Sequence, residues 1–358
     1  MRISAEDLDA LALGSVFLAT GGGGDPYIPK LITANALKEF GPAEIVSPQD
    51  LSDDAFVCAI GSVGAPTVSL ELLPSIDEAS GALAAFEEHM GRDVDALAAF
   101  EIGGGNSLIP LLAAATRNLP MIDGDGMARA LPEAQMMTYA MAGIPPTPSV
   151  SYDYNGKVQH FDCPDPIEYE SIIRKCAVES GGMITTVEHP MSGAECKGAI
   201  IPGTLSFALE LGRLLEQNRG PSEAIADSLA KAFEGTIYGA CRMIFFGKVS
   251  AKSSRVVGGY DVGEATIEPQ GGGHPMKITI KNEYLLAQVA DKVVASVPDL
   301  IVILDAETSS PINAERLRYG QRIAVFAIGA PAVLKTPEAL AVLGPQYFGF
   351  ELEYEPFC

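Results

Sequence analysis

Three short stretches carry the side chains best suited to chemistry: GSVGAP at 61–66, EIGGGNS at 101–107 and DGDGMAR at 123–129. Each follows a β-rich run and is glycine-rich or acidic. Glycine lets main chain approach a ligand with no Cβ in the way. Successive N–H groups form a concavity for an anion or a carbonyl oxygen. Glu101, Asp123 and Asp125 could share a proton as acid and base. Asp123 and Asp125 also offer the oxygen donors that a divalent cation takes. Asn106 with the main chain of Gly104 and Gly105 could hold a substrate oxygen, and Arg129 could clamp a substrate carboxylate through two nitrogens.

A fourth stretch, TGGGGDPY at 20–27, is expected to add Gly22, Gly23 and Asp25 as a wall of the same site. It follows a helical pattern, whereas a dinucleotide loop follows a strand, and it lacks the lysine of a phosphate loop. Nucleotide binding is therefore the weakest reading. Asp25 is placed to cap the next helix, with Pro26 at its first position. Two further features are read as structural. His189 in VEHPMSG is expected on a surface loop, and Asn282-Glu283 is expected to cap a following helix rather than reach an interdomain cleft. The six cysteines form no CxxC pair and the four histidines no HxH or HxxxH pair, so the close spacing of a zinc site is missing. The GxSxG elbow of serine hydrolases is missing too.

These turns need elements to hold them. A capped apolar pattern starts at Ser4, and from residue 43 short apolar runs alternate with helical patterns. Such alternation predicts βαβ units and a mostly parallel sheet, buried on both faces where FVCAI runs apolar without a break. Parallel strands would bring the three turns to one edge, where open α/β sheets bind ligands. IPPTPS near 145 is a turn-rich boundary, followed by a hairpin through Asn155-Gly156 and helices at 166–179, 204–216 and 222–233. From about 241 the chain reads as short strands with glycine turns, a barrel or sandwich. The expected fold is α/β: an N-terminal three-layer α/β domain over 1–165 and a C-terminal α+β domain over 166–358.

The 358 residues carry a net charge of −22, which repels nucleic acid and anionic lipid and makes neither an expected partner. No run of 18 apolar residues suggests a membrane span, and acidic residues interrupt the apolar start as no secretion signal would allow. A cytoplasmic location is the expectation.

Taken in order, TGGGGDPY, EIGGGNS, DGDGMARALPE, FGKV, NEYLLA, PDLIVILD, LRYGQRIAV and GPQYFGF resemble the S-methyl thiohydantoin desulfurase-like family between residues 18 and 350. Ala128 stands where a glycine is usual. The resemblance implies a three-layer α/β domain followed by a β-rich one. It also implies action on hydantoin-like or thiohydantoin-like rings, beside hydantoinase or oxoprolinase enzymes. Two readings follow. In one, a hydrolase directs water to the ring carbon bearing sulfur, with Asp123 or Asp125 as base or metal ligand, Glu101 as partner, and main-chain N–H groups at 104–106 stabilising charge. A divalent metal fits that reading without being demanded by it. In the other, the chain is a non-catalytic ring-binding partner of a hydantoinase-type or oxoprolinase-type enzyme. A homo-oligomer is compatible with both.

Overall fold

The structure, a computed structural model, describes residues 1–65 and 74–358. Its first sheet is built around β2 (Ala43–Val46), β5 (Met121–Asp125), β4 (Ala96–Ala99) and β3 (Phe56–Gly64), parallel to one another in that spatial order. Antiparallel strands flank this core. β1 (Arg2–Ile3) lies beyond β2. On the other side β8 (Met183–Ser192) pairs with β3, followed by β6 (Ser149–Tyr152) and β7 (Val158–Phe161). A short β9 (Ile201–Pro202) adds to β5. The sheet thus takes strands from both sides of residue 165. Val57, Cys58, Ala59 and Ile60 are consecutive and all 0% exposed. Only a strand covered on both faces can be apolar without alternation.

Helices supply the cover. α3 (Ile76–Met90) and α4 (Leu108–Arg117) connect the parallel strands, and α2 (Tyr27–Phe40) packs on α4. α6 (Pro166–Glu179) lies on β3 and β8, while α8 (Thr204–Gln217) lies on β5 and against α1 (Leu8–Leu18). Their caps were legible. Asp165 accepts N–H bonds from Ile167 and Glu168 ahead of Pro166, which loses nothing by lacking an N–H at the first position. The PEAQMMTYAMAG stretch at 132–143, whose pattern and flanking Pro132 and Gly143 predict a helix, forms only a 3-10 turn at Ala134–Met136 and α5 (Thr138–Met141).

The second sheet is wholly antiparallel. Its strands are β10 (Cys241–Val257), β11 (Tyr260–Pro269), β12 (Met276–Lys281), β13 (Glu283–Val289), β14 (Lys292–Ser296), β15 (Leu300–Asp305) and β16 (Arg322–Ile328), in spatial order β14-β13-β12-β11-β10-β16-β15. It curls into a half barrel, so that β13 and β14 approach β15. α7 (Gly193–Ala199), α9 (Ser222–Phe233) and α10 (Pro337–Leu343) complete the chain, with α9 packed on β10.

The period of two in β15 and β16 joins the two halves. Leu300, Val302, Leu304, Ala324, Phe326 and Ile328 face the large core shared with the first sheet. Ile301, Ile303, Ile323, Val325 and Ala327 face the interior of the half barrel.

One expected turn is strand instead. GSVG at 61–64 continues β3, because β8 supplies a ladder partner as far as Gly64 with Met183. The last residue of that stretch, Pro66, lies outside the described residues.

Candidate active site

A cleft of about 1020 Å³, partly continuous with solvent, lies where the 101–107 loop, the glycine loop and the β12–β13 connection meet. Glu101 follows β4 and is 5% exposed. Its Oε1 accepts Asn106 Nδ2 at 2.8 Å and its Oε2 the Leu131 N–H at 3.2 Å. Asn106 is fixed in turn by the Ser62 main chain: its Oδ1 takes the Ser62 N–H at 2.7 Å, and its Nδ2 reaches the Ser62 carbonyl at 3.1 Å. Burial pushes the Glu101 carboxyl up to about 8, against the pull of both hydrogen bonds and with a further push from Asp125.

Across the cleft stands Glu283, 2% exposed. No helix follows it, so the expected cap is replaced by a tight connection between strands. Lys281 pairs with Glu283, leaving Asn282 alone at the bend with φ of 57°. Asparagine tolerates this left-handed conformation. Asn282 donates its N–H to the Asp261 carbonyl at 2.7 Å and accepts the Asp261 N–H on Oδ1 at 2.8 Å. The carboxyl of Glu283 is therefore delivered from the tip of a braced hairpin. Burial, then the charge of Glu101, holds it well above the usual carboxylate range. Its Oε2 is buried and accepts no hydrogen bond.

The glycine loop is the seal between them. A Cβ on Gly22 would lie 2.0 Å from Glu283 Oε1, and one on Gly23 would lie 2.4 Å from the Gly103 main chain. Four of the loop's carbonyls are engaged by protein: Thr20 by Tyr284 N–H, Gly21 by Ala314 N–H, Gly23 by Asn106 N–H, and Gly24 by Gly105 N–H and Asn313 Nδ2. This changes one expectation. The N–H groups of Gly105 and Asn106, read as charge stabilisers, already donate to Gly24 and Gly23. Gly104 and Gly105 instead let the two loops lie against each other.

The remaining expected site residues do other work. Asp125 is 0% exposed and accepts the N–H groups of Ile102, Met127 and Ala128, tying the end of β5 to the Glu101 loop. Ala128 adopts φ of 55°, the conformation that favours a glycine there. Asp123 lies away from the cleft, where its Oδ1 caps α8 through the Ser206 N–H at 3.0 Å. Asp123 and Asp125 thus bind different main-chain groups, and among the described residues no three His, Cys, Asp or Glu side chains gather as metal ligands. Asp25 borders the cleft, but its carboxylate caps α2 through the Tyr27 N–H and pairs with Arg316 at 2.5 Å. Arg129 is fully buried. It donates to the carbonyls of Ala130, Pro298 and Asp299 and to Thr20 Oγ1, leaving no fork for a substrate carboxylate.

Other cleft residues escaped the sequence reading. Glu170 pairs with Arg174 at 2.8 Å and accepts the Tyr260 hydroxyl at 2.7 Å. Glu133 pairs with Lys281. Glu188 accepts the Tyr169 hydroxyl at 2.6 Å. Its neighbour His189, expected on a surface loop, is 0% exposed. It sits within β8, an interior strand, at a bulge where Val57 pairs with Met191 but Ala59 with Glu188.

Family models cover nearly all of this architecture. The S-Me-THD-like N-terminal domain matches residues 6–162 and the S-Me-THD-like C-terminal domain residues 164–357. The chain belongs to the S-Me-THD-like family. The resemblance carried by the glycine-rich and acidic motifs is thereby established. The crystal structure of a protein from Chromobacterium violaceum is similar over 99% of each chain, with a TM-score of 0.83 and 25% sequence identity. No curated protein is detectably similar. In this S-Me-THD-like chain, the cleft lies where residues of both matched domains meet, since Glu101 comes from one and Glu283 from the other. Among the described residues, no helix is long and apolar enough to cross a membrane.

Proposed function

We propose that this chain hydrolyses thiohydantoin-type rings at the carbon bearing sulfur, with Glu101 as base and Glu283 as acid. The pairing of two buried carboxyls across one cleft carries this reading. Two carboxyls that repel each other in a desolvated site do not ionise together, and the one with more donors ionises first. Glu101 accepts Asn106 and Leu131, whereas Glu283 Oε2 accepts nothing. Glu101 is the carboxylate and Glu283 keeps the proton.

On an S-alkyl thiohydantoin, water adds to the ring carbon and gives one proton to Glu101. As the carbon–sulfur bond breaks, Glu283 donates its proton to the leaving sulfur. The second water proton ends on the ring nitrogen. The products are a hydantoin and a thiol, and return of the proton from Glu101 to Glu283 resets the pair. No step runs through a metal, because Asp123 and Asp125 do not converge on one point.

The test is thiol release from an S-methyl thiohydantoin by the wild-type chain and by folded Glu283→Gln. Undiminished release by the variant would remove Glu283 from the mechanism. Binding of hydantoins without turnover, until a hydantoinase-type enzyme is added, would favour the ring-binding partner instead.

A further inference from the structure

We propose that Glu188 makes the cleft selective for rings bearing a cationic or N–H-donating side arm, and closes it to acidic ones. This rests on the reading of the cleft as a ring site and names the class of ring it takes.

The cleft holds more negative than positive groups, and their partners can be followed one by one. Arg174 is the one basic residue among its described lining residues, and it is tied to Glu170. Glu133 is neutralised by Lys281 and Asp25 by Arg316. Glu78 closes the capping box of α3 by accepting the Ser75 N–H. Glu101 and Glu283 hold a proton between them in the mechanism above.

Glu188 is the exception. It is 1% exposed, yet it lines the cleft. Its Oε2 takes the Tyr169 hydroxyl, and among the described residues no hydrogen bond reaches its Oε1. His189 Nδ1 stands 3.4 Å from Oε1 without making one, and both ring nitrogens are buried and unpartnered. A buried carboxylate with one donor is short of hydrogen bonds, and an incoming ammonium or amide N–H would supply one. An incoming carboxylate would meet only repulsion.

Calorimetric binding of three hydantoins tests this, with butyl, 4-aminobutyl and 2-carboxyethyl arms on the ring. The wild-type chain should bind the aminobutyl ring about tenfold or more tighter than the butyl ring, and the carboxyethyl ring weakest. Glu188→Gln, checked for an unchanged melting temperature, should draw the three affinities together. Equal affinities in the wild type overturn the inference while leaving the ring reading intact. So does a charge order that survives in Glu188→Gln. Failure of all three rings to bind overturns both.

Discussion

Glu101 and Glu283 come from distant parts of the chain and line one cleft, where the charge of Glu101 raises the proton affinity of Glu283. Replacing the acid by Glu283→Gln should lower kcat by about 100-fold or more. The melting temperature should hold or rise, because an unpartnered buried carboxyl disappears. The base predicts a pH profile. In the proposed mechanism Glu101 acts ionised, so kcat/KM should climb with pH and level off above about 8. The same shift has a stability consequence of opposite sense. Between the usual 4.5 and about 8 the folded chain keeps a proton that the unfolded chain has released. The stability linked to Glu101 is therefore full below about 4.5 and lost as pH rises through about 8. Melts at about pH 5 and about pH 9 should show a smaller drop in Glu101→Gln than in the wild type. Asp123→Asn should leave kcat/KM within about twofold and cost about 1 kcal/mol of capping, measured by denaturant melts. Glu101 was legible because it sits beside glycines after a strand. Glu188 and Glu283 lie in apolar β runs, and nothing local says that a strand's outward carboxyl will face a cleft.

Glycines and strand ends decide how those residues are held. Gly22 and Gly23 adjoin but do different jobs, and alanine separates them. Gly22→Ala should push Glu283 aside and abolish most turnover with little loss of stability, since the new Cβ meets a side chain. Gly23→Ala should destabilise the fold by about 2 kcal/mol or more, because its φ is 70° and its new Cβ would meet main chain of the facing loop. Comparison of the two variants by melting temperature and rate checks both outcomes. The helices at 166–179, 204–217 and 222–233 matched their expected bounds to within a residue, because proline, a capping aspartate and apolar periodicity are local signals. The strand over 61–64 was hidden by its glycines, and the bend at Asn282 by its dependence on Asp261 in another strand. Both are settled by pairing across the sheet, which neighbouring residues do not encode.

At the scale of the molecule, two halves share a core through β15 and β16 and a polar pin through Arg129. That guanidinium spans Thr20, Ala130, Pro298 and Asp299 with nothing exposed. Arg129→Met should cost about 3–5 kcal/mol in urea melts, since several buried acceptors lose their donor together. Arg129→Lys should recover little of it, as one ammonium cannot reproduce the planar fork. The alternation of apolar runs foretold the sheets, but not that alternate residues of β15 and β16 would serve two interiors. The glycine loop has one more consequence. Its carbonyls fasten the 103–106 turn and the 313–314 segment at once, while Gly22 leaves the space that Glu283 fills. Under the proposed mechanism, turnover would be a gauge of assembly: a chain whose halves had parted by even one hydrogen-bond length would carry its two carboxyls out of register and fall silent while each half still kept its shape.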